Sequence, residues 1–133
     1  MKYALILSSA IVASGLILAA APAARAADLA AEMATASAHA GMAAAAGDMK
    51  MVHTHLQHVV NCLVGPGASD YDTSNADPCK AQGMGIIPDS PADKQAAMKA
   101  ALVIAKEGVA QPDMTKAKAD ATALQAALKK TAM

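Results

Sequence analysis

The chain has 133 residues, 55% of them apolar but only 2% aromatic, with no Trp or Phe and a formal net charge of zero. Nucleic-acid binding asks for a cationic face and usually for stacking aromatics, so this composition speaks against it, and the length speaks against a two-domain enzyme. Alanine supplies most of the apolar fraction, which points to helices with thin side-chain cover and away from an aromatic-walled metabolite cavity.

Met1-Lys2-Tyr3 forms a positive n-region, Ala4 to Ala21 an apolar stretch, and Ala24-Arg25-Ala26 a small-x-small cleavage pattern. Residues 1–26 therefore read as a secretion signal cleaved after Ala26, leaving residues 27–133 as one domain. An uncleaved anchor is the competing reading, against which Ser8, Ser9, Ser14 and Gly15 interrupt the apolar run. The expected location is periplasmic or secreted, with no membrane contact after cleavage and an oxidising environment.

Four Ala-rich stretches without β-branched alternation predict four helices. The first spans about 28–43, with Asp28 at its start. Asp48 caps a second over 49–63, which Gly65-Pro66-Gly67 terminates. A polar loop over 64–90 leads to Ser90-Pro91, a Ser cap with Pro in first position, and a third helix running to 106–107 with Gly108 as its stop. Asp113 caps a fourth to about residue 130. Gly41 to Asp48-Met49 is matched by Gly108 to Asp113-Met114, so the halves read as two similar hairpins, 28–63 and 91–131. The expected fold is all-α, an up-down four-helix bundle.

Val52, Leu56, Val59 and Leu63, with Val60 beside them, form the clearest buried stripe. Leu29, Met33, Ala36 and Ala40 face it from the first helix. Met98 and Leu102, with Val103 or Ile104, do so from the third, and Ala117, Leu124 and Leu128 from the fourth. Side chains this small bury little area, so a covalent staple is expected. Cys62 and Cys79 supply one, pinning the 64–90 loop to the second helix, and closing a loop of this size is worth ~3 kcal/mol.

All four histidines, His39, His53, His55 and His58, lie within 20 residues, together with Met42, Met49 and Met51. Histidines serving only as surface filler would be spread more evenly. Met51, His55, His58 and Cys62 share one stripe of the second helix, and the i,i+3 spacing puts two imidazoles on one side. A turn centred near residues 45–46 sets His39 opposite 52–53, within approach of His53 or His55, and Met42 opposite Met49. Glu32, one heptad before His39, is a candidate ligand or supporting carboxylate. Imidazole with thioether suits copper, and imidazole alone also suits zinc or nickel.

Other motifs fail. Asp70-Tyr71-Asp72-Thr73-Ser74-Asn75 starts like an EF-hand loop but has Asn75 at the glycine position and Ala81 at the bidentate one. No C-x-x-C-H is present for covalent haem, and non-covalent haem lacks an aromatic pocket. No serine has a hydrolase context, and no catalytic residue is expected.

Ala38-His39-Ala40-Gly41 and Met51-Val52-His53-Thr54-His55-Leu56-Gln57-His58 resemble the periplasmic small metal-binding proteins, Ala-rich hairpins with histidines around a glycine-containing turn. The resemblance covers residues 27–63, and 91–131 in architecture alone. It implies an up-down bundle that buffers or scavenges divalent or cuprous metal without catalysis, with ligand roles on His39, His53, His55 and His58. The second hairpin lacks histidines, and the cysteine-bridged loop has no place in that pattern. The reading is a metal-binding protein for storage, sequestration or handover to a periplasmic metal-accepting protein. Its alternatives are a structural module presenting the disulfide loop to a partner, or a haem or redox accessory protein.

Overall fold

Alanine's helix propensity and three aspartate caps place the long helices close to their expected bounds. The computed structural model describes residues 27–133, and the signal expected over 1–26 lies outside the described residues. Within them the chain is all-helical: α1 (Leu29–Ala45), α2 (Met49–Val64), α3 (Ile86–Asp89), α4 (Ala92–Ala110) and α5 (Met114–Ala132). Asp28 accepts from the Ala31 N–H at 3.0 Å, Asp48 from Met51 at 2.9 Å and Asp113 from Lys116 at 3.0 Å. Each such cap contributes ~1 kcal/mol by satisfying a helix donor that has no intrahelical partner.

Three local expectations change. First, α1 continues to Ala45, so the turn to α2 is Ala46 to Asp48. Second, Ser90 does not cap α4: its Oγ donates to the Ile86 carbonyl at 2.6 Å and closes α3, a single turn that the loop's Gly/Pro content concealed. Pro91 takes the cap position of α4 without a side-chain bond. Third, Gly108 is no stop, because α4 runs through it to Ala110. A methyl group there would press to 2.8 Å on Leu56 Cδ1 and 3.2 Å on Asp120 Cβ, so the glycine sets how closely α4 approaches α2 and α5.

α1 packs on α2 and α5, and α4 packs on the same two helices. The buried positions follow the expected stripes: Met33, Ala36 and Ala40 of α1, Val52, Leu56, Val59, Val60 and Leu63 of α2, Met98 of α4, and Ala117, Leu124 and Leu128 of α5. Val103 is 55% exposed, so the buried face of α4 turns through Ala101 and Ala105, with Leu102 and Ile104 partly covered. No described helix is long and apolar enough to cross a membrane.

The Cys62–Cys79 disulfide is formed, with both residues buried. Beside it Asn61, fully buried, organises the loop. Its Nδ2 donates to the carbonyls of Asp72 at 2.9 Å, Ala76 at 3.2 Å and Asn75 at 3.3 Å, and its Oδ1 accepts from the Asp72 N–H at 2.9 Å. One amide thus satisfies backbone groups that the apolar core would otherwise strand. Asp72 in turn accepts from Ser74 and Asn75. These bonds hold its carboxyl below the usual range. Gly65, at φ 72°, takes a conformation side chains resist, and a Cβ there would collide with the Met84 carbonyl. The loop is therefore anchored at the end of α2 by a covalent bond, an amide network and a backbone contact.

Asn61→Ala strands a loop N–H and several carbonyls, and should lower unfolding free energy by ~2–3 kcal/mol in urea titration while far-UV helicity stays near the parent's. Asn61→Asp, which loses the Nδ2 donor, should be no milder.

Candidate metal centre

Because Ala36, Ala40 and Ala43 cover the inner face of α1, that helix lies close on α2, and an imidazole on its flank reaches the neighbouring helix. His39 Nδ1 lies 3.2 Å from His55 Nδ1 and 3.3 Å from His58 Nδ1. Ligand atoms of the three residues all fall within 4.8 Å of one another. The rings do not stack. Their planes meet at 46°, 83° and 78° with centroids 5.0–5.6 Å apart, so they stand as blades around a shared centre.

Neutral imidazole has one N–H and one in-plane lone pair. His39 Nδ1 faces two other Nδ1 atoms, and a single lone pair or N–H there makes one good bond, leaving the second contact mismatched. A cation at the centre accepts three lone pairs at once. Four ligands ~2.0–2.1 Å from a tetrahedral ion are separated by ~3.3–3.4 Å, whereas adjacent octahedral ligands at the same bond length stand only ~2.9 Å apart. The observed 3.2 and 3.3 Å edges lie nearer the tetrahedral value. The donor set therefore fits a metal ion.

Protonation is disfavoured at two of the three members. Burial, then the nearby His58 and His55, lowers the pKa of His39 from its ordinary 6.5. Burial and His55 lower that of His58, with Asp77 opposing. Both imidazoles thus keep free lone pairs at neutral pH, the form a metal ion requires.

Of the other expected residues, His53 and Glu32 are engaged elsewhere. His53 is turned away, and its Nε2 stands 2.9 Å from the Gln111 carbonyl beyond α4. Continuing α1 to Ala45 moves the turn and slides the register, so His39 meets His55 and His58 in place of His53. Met51 is 41% exposed, one turn before His55 on α2, and Met42 is 46% exposed on α1. Met49 packs partly buried against the core. Glu32 serves the loop: fully buried, its Oε1 accepts from the Gly85 N–H at 3.1 Å, and its Oε2 has no partner. Burial outweighs that hydrogen bond and, with Asp89, Asp77 and Asp28 nearby, raises its pKa to about 7.

A second set, Cys62, Cys79 and Asp77, also falls within 4.8 Å, but both sulfurs are committed to the disulfide. A cavity of about 770 Å³ between α1, α4 and α5, bordered by Met33, Met98, Leu128, Lys94 and Lys129, includes none of the imidazoles. Compared with models of known families, with curated proteins and with solved structures, the chain shows no significant match, so the site is read from its own geometry.

The groups with shifted pKa predict opposing pH dependences. His39 and His58 titrate below 6.5, so the stability they contribute is complete above 6.5 and lost as pH falls through their depressed folded values. Glu32 is raised from 4.5 to about 7, so its contribution is complete below 4.5 and lost as pH rises through about 7. Glu32→Gln should remove the alkaline loss and leave the acid loss, which urea unfolding between pH 4 and pH 8 resolves.

Proposed function

We propose that the protein is a non-catalytic metal-binding protein of the periplasm or exterior that sequesters an ion and hands it on, with His39, His55 and His58 as ligands. The convergence of three Nδ1 atoms with edges of 3.2 and 3.3 Å carries this reading. On that reading residues 27–133 form a single up-down four-helix bundle whose first hairpin holds the ion and whose second supports it. The resemblance of that hairpin to the periplasmic small metal-binding proteins favours the same function.

Copper is our first choice of ion. Imidazole suits copper, zinc and nickel alike, and the near-tetrahedral spacing favours cuprous copper or zinc over an octahedral nickel centre. Met51, exposed one turn from His55 on the same helix, stands outside this ligand set. A periplasmic metal-accepting protein is the expected recipient. His53, whose ring contacts the Gln111 carbonyl, has a structural role and no part in the site.

Calorimetric titration of the purified oxidised protein with cuprous copper under a non-thiol reductant, and with zinc and nickel, tests this. One ion per chain is expected. His39→Ala, His55→Ala and His58→Ala should each weaken binding by roughly 100-fold or more, while His53→Ala leaves it within about threefold. Saturating ion should raise the unfolding midpoint of the parent and not of the His55→Ala, His58→Ala double variant. Binding equal in parent and double variant would overturn the assignment.

A further inference from the structure

We infer that the imidazole site holds its ion with one coordination position open to solvent, and that a small monodentate anion from outside the chain takes that position. This rests on the metal-binding reading above and adds what that reading leaves open, namely how the coordination sphere is completed.

Two of the three donor separations match tetrahedral edges, and three donors around a four-coordinate ion leave one vertex to fill. Among the described residues, no other histidine, cysteine or carboxylate joins the group. The other candidate donors have partners of their own. His53 contacts the Gln111 carbonyl, and Cys62 and Cys79 are bonded to each other. Asp77 accepts from the Cys79 N–H at 2.9 Å and the Tyr71 hydroxyl at 3.4 Å, while Glu32 accepts from Gly85. Sites that only support a fold close the sphere with four protein ligands, whereas three protein ligands leave a position for water or an incoming group.

Exposure agrees. All three imidazoles are only partly buried. Among the described residues their Nε2 atoms meet no protein acceptor, and none is among the buried side-chain atoms left without a partner. Ligating imidazoles in tightly held sites donate that second N–H to a carboxylate or carbonyl, which fixes the ring and raises its basicity. Without such partners the rings can tilt, the ion exchanges, and the fourth vertex stays accessible. An incoming monodentate ligand is the first step by which an acceptor would take the ion. Met51 is the one internal competitor on the same helix face.

Cobalt(II) is the probe, because its visible bands are strong when four-coordinate and weak when six-coordinate. The oxidised protein loaded with cobalt(II) and titrated with azide should show strong bands that shift saturably at one anion per ion. Met51→Leu, a substitution at an exposed position, should leave both the bands and the azide affinity unchanged. Strong bands indifferent to azide, or bands that Met51→Leu alters before anion is added, would overturn the open position while leaving metal binding intact. Weak six-coordinate bands would overturn the single vacancy. No cobalt binding, together with none of copper or zinc, would overturn the metal reading itself.

Discussion

The imidazole cluster depends on how closely α1 can lie against α2. His39 comes from one helix and His55 and His58 from the other, and imidazoles are short, so the three ring nitrogens meet only if the backbones approach closely. Alanine at positions 36, 40 and 43, fully buried in the core that also holds Val52, Leu56 and Val59, permits this. A larger residue at Ala40, one position from His39, would open the groove by the width of its side chain. The same economy weakens the core, since alanine buries little area per residue. Close approach and thin hydrophobic stabilisation are therefore two results of one compositional choice, and the disulfide, the Asn61 network and the Gly65 contact offset the second.

The electrostatics follow from the same approach. Bringing the imidazoles together makes His39 and His58 poor bases, because burial penalises the charged form of both and a charge on a neighbouring ring opposes it further. A divalent or cuprous ion concentrates positive charge at one point where three lone pairs converge, and so replaces repulsion by attraction. Glu32 shows that burial acts on the opposite kind of group as well. Two turns before His39 on α1, it is drawn into the loop and its carboxyl is raised to about 7. Asp77, from the loop, opposes the lowering at His58.

Helix positions and buried stripes were legible because they are local or periodic. An aspartate cap, an alanine run and a leucine at every fourth position each act within a turn or two, and α1, α2 and α5 follow them. The disulfide was legible from the cysteine count and the expected oxidising location. The register between α1 and α2 was less so: it depends on where α1 ends, and nothing in Ala43-Ala44-Ala45-Ala46-Gly47 marks that end within two residues. Two residues decide whether His39 faces His53 or the His55, His58 pair, and the structure brings it to the pair. Gly108 misled for a related reason, since glycine signals a helix end and a close helix contact with the same letter. Asn61 carries no sequence signal, because its partners are loop backbone atoms 11 to 15 residues away.

The division of labour between the ends of α2 bears on what the ion is for. A structural metal contributes folding free energy, and domains that rely on one lack another means of closing their fold. Here the C-terminal end of α2 is already secured by the disulfide at Cys62 and by the bonds of Asn61, and the helices share a continuous core. The imidazoles stand midway along α1 and α2, only partly buried. On the metal-binding proposal, an ion held there would add little that the fold lacks and would be cargo, kept by a scaffold whose rigidity comes from the disulfide and the Asn61 bonds.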